Sequence, residues 1–381
     1  MNDKEPIRVL HVVGTIICGG IENLVMDIYR NIDREKVQFD FIAYDNSEHI
    51  YDDEIKALGG KIIYMPRFKV INSRSFKKAW KNFFKTNPQY HIIHIHKTPA
   101  ASVYIKIAKQ FGLKVIVHSH QSKAETSGII KRLIIEHYKR PLGKIADYRF
   151  ACSKRAGEYM FGRKASFTII NNGINTKRFV FDPKARKIVR EEFGLKDDFA
   201  VLHVGRFNEV KNHVFLIDVF AELAKKNEKS KLVLLGDGAL LNEIKGKVNS
   251  SGISDKVVFL GNRGDVEKFM QAADVFCLPS FAEGFPIVAV EAQASGLPIL
   301  ASTGVPIEIN LTDRVKFLSL AEGARKWAEE LLEMRNPERE GYDKIVSEKG
   351  YDISITARRL VNEFYLEVLV GLEPTTCSLR I

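Results

Sequence analysis

Short apolar runs ending in glycine, asparagine or serine alternate with segments of helical periodicity along the whole chain. Apolar runs of strand length that are bounded by turn-forming residues indicate buried strands. Because helical segments separate the runs, each half of the chain predicts a parallel sheet with helices on both faces. The predicted strands are residues 7–13, 39–43, 61–65, 91–95, 114–117 and 148–152 in the first half, and 201–204, 232–235, 256–260, 275–278 and 298–301 in the second.

Two such sheets predict two Rossmann-like domains, an α/β architecture for which 381 residues are sufficient. The predicted domains are residues 1–178 and 179–350, with the boundary in a stretch rich in Lys, Asp and Arg. Residues 351–370 predict a C-terminal helix, and residues 371–381 show no periodicity that would suggest a role. Ligands bind beyond the carboxyl ends of parallel strands, so we expect a functional site in a cleft between the sheets.

The composition is that of a soluble globular protein, with 45% apolar and 28% charged residues. The first six residues are mostly polar or charged and predict no signal peptide, and no apolar run approaches the roughly 20 residues needed to span a bilayer. The four cysteines are scattered without metal-ligand spacing. This pattern favours a reduced, cytoplasmic setting.

The net charge of +11 arises entirely in the first half, where residues 1–178 hold 31 basic and 16 acidic side chains. Residues 61–164 alone hold 23 basic and 4 acidic side chains. Such a face predicts attraction to anionic lipid headgroups, with neighbouring apolar side chains entering the interface; a solvated basic face is the alternative. The candidate lysines are Lys77, Lys78, Lys81 and Lys85, and the neighbouring apolar residues are Trp80, Phe83, Phe84, Ile134 and Ile135.

The most specific motif places two carboxylates, Glu283 and Glu291, eight residues apart. The first is predicted in the loop after strand 275–278, and the second about two turns into the following helix, so that both face one site. The loop between them would direct backbone amides at the helix N-terminus, where the helix dipole favours a phosphate or another anion. The amides are those of Gly284, Phe285 and Ile287, Pro286 lies in the same loop, and residues 287–294 have the composition of the following helix.

Two cations, Arg206 and Lys211, follow the strand at 201–204. Arginine offers a planar fork for phosphate oxygens, and lysine offers a mobile point charge. Taken alone they are typical of an exposed loop, but together with the carboxylate motif they predict a diphosphate site. The chain contains no Asp-x-Asp sequence that would hold a metal beside such a diphosphate.

In combination, these motifs resemble the retaining family 4 glycosyltransferases, enzymes of the two-domain GT-B fold, and in particular those of bacterial exopolysaccharide and capsule synthesis. Five ordered matches between residues 7 and 310 carry the resemblance, which makes it more specific than any single motif. The loop at residues 303–308 departs from the family, which commonly has Gly-Gly-x-Pro-Glu there. The matches are residues 19–22, 117–120, 170–179, 204–212 and 283–291.

The resemblance implies a role for each motif residue. Glu291 would accept hydrogen bonds from the ribose hydroxyls of a nucleotide, Glu283 would lie close to the transferred sugar, and Arg206 and Lys211 would stabilise the leaving diphosphate. The alternatives are solvated surface carboxylates, or a glycosidase pair of acid and nucleophile. The phosphate-binding cations argue against the glycosidase.

By the same resemblance, His120 would contact the donor sugar. His118 is the second choice, and we expect it to point to the opposite face of the strand; a buried structural histidine is the alternative for either. His94 and His96 are expected to pack or line the cleft rather than hold a metal, because no cysteine or acidic cluster accompanies them.

Gly19 and Gly20 follow the first predicted strand and precede a helical segment. Their lack of side chains would let a substrate approach the backbone closely, although tight turns use the same pair. By resemblance they belong to the donor site, and the acceptor would bind near Gly20 and His120.

The resemblance therefore implies a retaining, metal-independent glycosyltransferase without a cofactor. It would transfer a sugar from a nucleoside diphosphate sugar, in particular a UDP-sugar, to a lipid-linked saccharide in exopolysaccharide or capsule synthesis. The enzyme is expected at the inner face of the membrane, with its C-terminal helix crossing back to the first domain. The alternatives are a sugar-nucleotide epimerase of similar fold and a nucleic-acid-binding protein; the second is suggested by the charge of +11 but lacks a recognisable module and has an acidic second half.

Overall fold

The computed structural model describes residues 5–14, 19–47, 49–96, 101–121, 128–334 and 338–367. The chain divides into two compact units, Met1–Gly173 with Ile353–Ile381, and Ile174–Asp352. The first unit ends at Gly173 rather than at the predicted residue 178. The physical reason is that Ile174 donates its amide to the carbonyl of Tyr351 at 2.8 Å, which joins this segment to the second unit.

The first unit is built on a seven-stranded sheet with the order β3-β2-β1-β4-β5-β6-β7. Its strands are β1 (Ile7–Gly14), β2 (Val37–Ala43), β3 (Ile62–Tyr64), β4 (Tyr90–Ile95), β5 (Lys114–Ser119), β6 (Tyr148–Ala151) and β7 (Thr168–Ile169). Its helices are α1 (Gly20–Asn31), α2 (Asp52–Ala57), α3 (Ser73–Thr86), α4 (Ala101–Gln110), α5 (Ile129–Lys139), α6 (Leu142–Ile145) and α7 (Lys154–Phe161).

The second unit is built on a six-stranded sheet with the order β10-β9-β8-β11-β12-β13. Its strands are β8 (Phe199–Val204), β9 (Ser230–Leu235), β10 (Val257–Phe259), β11 (Val275–Leu278), β12 (Ile299–Ser302) and β13 (Val315–Leu318). Its helices are α8 (Pro183–Glu192), α9 (His213–Lys226), α10 (Leu241–Ser250), α11 (Val266–Ala272), α12 (Ile287–Ala294), α13 (Gly323–Glu333) and α14 (Tyr342–Val346). The chain then enters α15 (Ile353–Leu360), which is grouped with the first unit and is followed by a π-helical turn, Val361–Tyr365.

Every strand pair in both sheets is parallel. This confirms the prediction of two Rossmann-like domains. Two strands escaped the sequence analysis: β7 has only two residues, and the run of β13 is interrupted by Lys316. In each sheet the chain first builds strands on one side of a central strand, β1 or β8, and then returns to its other side with β4 or β11. This reversal creates a topological switch point at the carboxyl edge of each sheet.

Helix α3 carries the candidate lysines on its exposed face and aromatic residues on its buried face. Phe76, Trp80 and Phe84 recur every four residues and are buried, with at most 2% of their surface exposed, so that the lysines at positions 77, 78, 81 and 85 face outward. The expectation that Trp80 and Phe84 border the basic face as exposed groups is therefore wrong, because they belong to the core. Within the described residues, no helix combines the length and apolar character required to cross a membrane.

Candidate active site

In the second unit, the switch point brings together the loops that follow β8 and β11. The two strands pair in parallel, with Val275 opposite Val201 and Phe276 opposite Leu202. Two hydrogen bonds then hold the loops side by side: the amide of Phe281 donates to the carbonyl of Val210 at 2.8 Å, and the side-chain amide of Asn212 donates to the carbonyl of Pro279 at 3.2 Å. The predicted cation loop and carboxylate loop are thus neighbours because their strands are neighbours.

An ion pair joins these two loops. Nζ of Lys211 lies 2.8 Å from Oε1 of Glu283, and the side chains are only 18% and 12% exposed. Lys211 ends a short 3-10 turn that Asn208 caps by accepting from the Lys211 amide at 3.2 Å, and α9 begins two residues later at His213. Partial burial strengthens the attraction between the charges relative to an exposed pair. Both residues were expected in one site, but their direct contact was not predicted.

A glycine in the loop after β12 supports Glu283. The amide of Glu283 donates to the carbonyl of Gly304 at 3.3 Å. A Cβ on Gly304 would lie 2.3 Å from the carbonyl oxygen of Phe281, so only glycine allows this approach. The loop at 303–308, which departs from the family pattern, therefore keeps a glycine where backbone packing requires one.

Helix α12 begins at Ile287, directly after the carboxylate loop, as the sequence predicted. Its N-cap residue is Pro286, whose side chain offers no acceptor to the amides of the first turn. Glu291 is the fifth residue of α12 and lies about one turn into the helix, not two, because a turn takes about 3.6 residues. Phe285 is buried and stacks on Tyr351 with ring centroids 5.3 Å apart, which anchors the loop to its own unit.

Arg206 differs from Lys211 in its surroundings, because its side chain is exposed. It lies two residues beyond the end of β8, as predicted, and its carbonyl accepts from the amide of Asn208 at 2.8 Å. The second unit therefore presents one exposed and one ion-paired cation on a single loop.

Two buried histidines behind this loop were not predicted. His203 on β8 contacts the carbonyl of Cys277 through Nδ1 at 2.8 Å, and burial lowers its pKa to about 4. Burial also lowers the pKa of His213, the first residue of α9, to about 2. Both imidazoles are neutral at neutral pH, so the positive charge of this region resides on Arg206 and Lys211. In the sequence each is a single histidine in an apolar run. Many core histidines show the same pattern, so it did not single these two out.

In the first unit, the switch point gathers five imidazoles, which we call the histidine cluster. They come from three adjacent strands and the residues directly after them. His94 and His96 are two positions apart along the chain, as are His118 and His120, and His11 lies opposite His94 in register. Successive ring contacts have centroids 4.1 to 5.4 Å apart. The members are His11 from β1, His94 and His96 from β4 and its end, and His118 and His120 from β5 and its end.

The structure corrects the expectation for His118. Its ring centroid lies 4.1 Å from that of His120, on the same face rather than the opposite one. The reason is the two-residue period of a strand, which places residues two apart on one face. His118 is fully buried, whereas His120, at the carboxyl end, is partly exposed.

Hydrogen bonds link the histidine cluster in two rows. In one row, Nδ1 of His11 lies 3.1 Å from Nε2 of His96, whose Nδ1 lies 2.9 Å from Nε2 of His120. In the other, the hydroxyl of Tyr365 lies 2.7 Å from Nδ1 of His94, whose Nε2 lies 3.3 Å from Nδ1 of His118. The C-terminal segment thus contacts the cluster directly.

Burial keeps these rings neutral. It lowers the pKa of His11 to about 3 and lowers the pKa values of His94 and His118 well below the usual range. Desolvation disfavours the charged form, and neighbouring imidazoles would repel a second charge. Each neutral ring has one nitrogen that donates and one that accepts.

Gly19 and Gly20 lie beyond β1, and α1 begins at Gly20, with Gly19 at its N-cap. A Cβ on Gly20 would meet no atom of the described residues within 4 Å. The space beside this residue is therefore open within the described structure, and packing does not explain the glycine.

Sequence models of two protein families match the chain in complementary parts. The model described as "Glycosyltransferase Family 4" matches residues 18–178, and the model described as "Glycosyl transferases group 1" matches residues 185–334. The first match contains the histidine cluster except for His11, and the second contains both loops that carry Lys211 and Glu283.

Relatives and solved structures match most of the chain. EpsF of Bacillus subtilis (strain 168), named as a glycosyltransferase, is 34% identical over 375 residues, which cover 96% of this chain and 97% of EpsF. The UDP-Gal:alpha-D-GlcNAc-diphosphoundecaprenol alpha-1,3-galactosyltransferase of Escherichia coli is 22% identical over 308 residues, which cover 78% of this chain and 79% of that protein. The crystal structure of HepE of Anabaena in complex with UDP-glucose has a similar fold, with a TM-score of 0.77 at 18% identity, covering 96% of this chain and all of HepE. The chain belongs to the family 4 glycosyltransferases and has two Rossmann-like units of the GT-B type.

Proposed function

We propose that this protein is a retaining glycosyltransferase that transfers a sugar from a UDP-sugar to a lipid-linked saccharide acceptor in exopolysaccharide or capsule synthesis. The observation that carries the proposal is the Lys211–Glu283 pair at the switch point of the second sheet, beside the exposed Arg206. The UDP-glucose complex of HepE supports the choice of donor. The named activity of the E. coli relative supports a lipid diphosphate saccharide as the acceptor.

The leaving diphosphate gains negative charge as the glycosidic bond breaks. Arg206, Lys211 and the N-terminal amides of α12 are assigned to this charge. Groups fixed in place before the reaction stabilise a transition state without paying for reorganisation at that moment. In this account no metal ion is needed beside the diphosphate.

Glu283 and Glu291 are assigned different parts of the donor. Glu283 accepts from Lys211 at 2.8 Å and so directs the ammonium group, and it also meets a hydroxyl of the transferred sugar. Glu291, one turn into α12, accepts hydrogen bonds from the ribose hydroxyls. A carboxylate on a helix is a firmly positioned acceptor for a pair of neighbouring hydroxyls.

In the first unit, His120 is assigned to a sugar hydroxyl, since it is the partly exposed member of the histidine cluster. His96 orients it through the 2.9 Å contact between their ring nitrogens. The open space beside Gly20 is assigned to substrate.

Retention of configuration follows if the acceptor hydroxyl attacks on the face from which the diphosphate leaves. The bond from the anomeric carbon to the phosphate oxygen breaks, and a bond to the acceptor oxygen forms. The departing phosphate oxygen takes the hydroxyl proton, so the step balances without a protein nucleophile.

The surface of the first unit supports docking to an anionic membrane. The outward-facing lysines of α3 lie beside a short segment in which Val70 and Ile71 are 59% and 93% exposed. Phe68, just before that segment, contacts the ring of Tyr138 on α5 at 5.2 Å between centroids. Exposed apolar side chains on α5 continue the surface: Ile130, Leu133 and Ile134.

The first prediction concerns the diphosphate cations. Incubation of the wild-type protein with UDP-sugars should give transfer to an acceptor or slow release of UDP. Arg206→Ala or Lys211→Ala should lower turnover by about 10² or more, because each variant loses a preorganised charge. Arg325→Ala, which removes an exposed cation of α13, is the control and should leave turnover unchanged. Wild-type turnover in folded Arg206 and Lys211 variants would exclude both from the mechanism, and an isomerised donor would indicate an epimerase.

The second prediction divides the carboxylates by role. Glu291→Ala should weaken UDP binding by about 1.5 to 3 kcal/mol, the range for a hydrogen bond to a charged group. Glu283→Ala should leave UDP affinity nearly intact, because Lys211 remains available to the diphosphate, while turnover falls. Calorimetric titration of UDP into both variants measures this, and equal weakening, or a larger loss in the Glu283 variant, would contradict the assignment.

The third prediction concerns the membrane. The protein should sediment with vesicles that contain anionic lipid, less so with neutral vesicles, and salt should release it, since each nearby basic residue contributes about 1 kcal/mol that salt screens. Changing Lys77, Lys78, Lys81 and Lys85 to Glu should abolish sedimentation. The matched control changes four exposed lysines of the second unit, Lys184, Lys187, Lys225 and Lys229, to Glu. Equal binding by the two variants would show that α3 is not the docking surface.

A further inference from the structure

The histidine cluster contains a buried nitrogen that has no hydrogen-bond partner among the described residues. Nε2 of His118 makes no hydrogen bond to any described residue and is shielded from solvent. One ring nitrogen from each of His96, His118 and His120 lies within 4.8 Å of the other two. A buried polar atom without a partner costs free energy, so its position beside two further imidazole nitrogens requires an explanation.

The outer hydrogen bonds of the cluster identify which nitrogens point inward. Nε2 of His96 faces Nδ1 of His11 at 3.1 Å, and Nδ1 of His118 faces Nε2 of His94 at 3.3 Å. The hydroxyl of Tyr365 in turn contacts His94 at 2.7 Å. The inward atoms are therefore Nδ1 of His96 and Nε2 of His118, together with Nε2 of His120, which contacts His96 Nδ1.

We propose that His96, His118 and His120 form a binding site for one divalent transition-metal ion such as Zn²⁺. Three imidazole nitrogens are a ligand set that suits Zn²⁺, Ni²⁺ or Cu²⁺ and not Mg²⁺ or Ca²⁺. Zinc–nitrogen distances of about 2.0 to 2.1 Å in a tetrahedral site place ligand atoms about 3.4 Å apart. His96 and His120 nitrogens, 2.9 Å apart, need to separate by only a few tenths of an ångström.

The surrounding rings match what a metal-bound histidine requires of its second nitrogen. A ligating imidazole carries its proton on the far nitrogen and donates it to an outer partner, which fixes the ring. His11 and His94 supply that acceptor to His96 and His118, and Tyr365 supplies the next partner to His94. Each ring stays neutral when the ion binds, because its proton shifts to the far nitrogen.

His94 and His96 were expected only to pack or to line a cleft, because no cysteine or acidic cluster lies near them in the sequence. The ligands that complete the site come instead from β5, which the sheet places beside β4. Neither a cysteine nor a carboxylate is needed when three imidazoles converge.

The fourth prediction tests the metal site without donor or acceptor, so its outcome is independent of the proposed function. The full chain is treated with EDTA, dialysed and titrated with Zn²⁺ in a calorimeter. Wild-type protein should bind Zn²⁺ at the cluster and should not bind Mg²⁺ there. Absence of Zn²⁺ binding to the wild type would overturn the proposal.

Variants assign the binding to the cluster. His120→Gln, at the partly exposed position, should lower Zn²⁺ affinity by about 100-fold or more, and His94→Gln should lower it by about 10- to 100-fold through loss of an outer partner. The matched control is His91→Gln, an exposed histidine on the same strand as His94, which should bind like wild type. His118→Gln adds a third test if it folds, as judged by circular dichroism. Undiminished Zn²⁺ affinity in folded His120→Gln would contradict the site, whatever the behaviour of His118→Gln.

Discussion

The order of parallel strands decides which residues of this chain meet. In each unit the chain leaves a central strand to one side and returns on the other, so the loops after two neighbouring strands start side by side at the carboxyl edge. In the second unit those loops carry Lys211 and Glu283, separated by 72 positions in sequence but by 2.8 Å in space. In the first unit the same edge gathers imidazoles from β1, β4 and β5.

The two switch points differ in their electrostatics. The second unit keeps a charged pair only partly exposed, with a second cation in solvent, which suits an anionic diphosphate. The first unit buries imidazole rings and keeps them neutral, because desolvation disfavours their protonated form. The carboxyl edge of the second sheet therefore carries charged groups, whereas that of the first sheet carries neutral imidazoles.

The sequence predicted most strands, the two-domain architecture and the start of α12 at Ile287, because these depend on local periodicity. It did not predict β7 or β13, where a two-residue strand and an internal lysine weaken the signal. It also missed the Lys211–Glu283 contact and the histidine cluster, since both depend on strand order, which no local pattern encodes. The direction of His118 was wrong for a simpler reason: residues two apart in a strand share a face.

The central claim is that fixed cations of the second unit, rather than a metal ion, stabilise the leaving diphosphate. The most direct measurement is the rate of sugar transfer from a UDP-sugar in excess EDTA, compared with the rate in added Mg²⁺ or Mn²⁺. The account predicts that transfer continues in EDTA, because Arg206, Lys211 and the α12 amides are all part of the chain. Complete loss of transfer in EDTA, restored by Mn²⁺ or Mg²⁺, would contradict it.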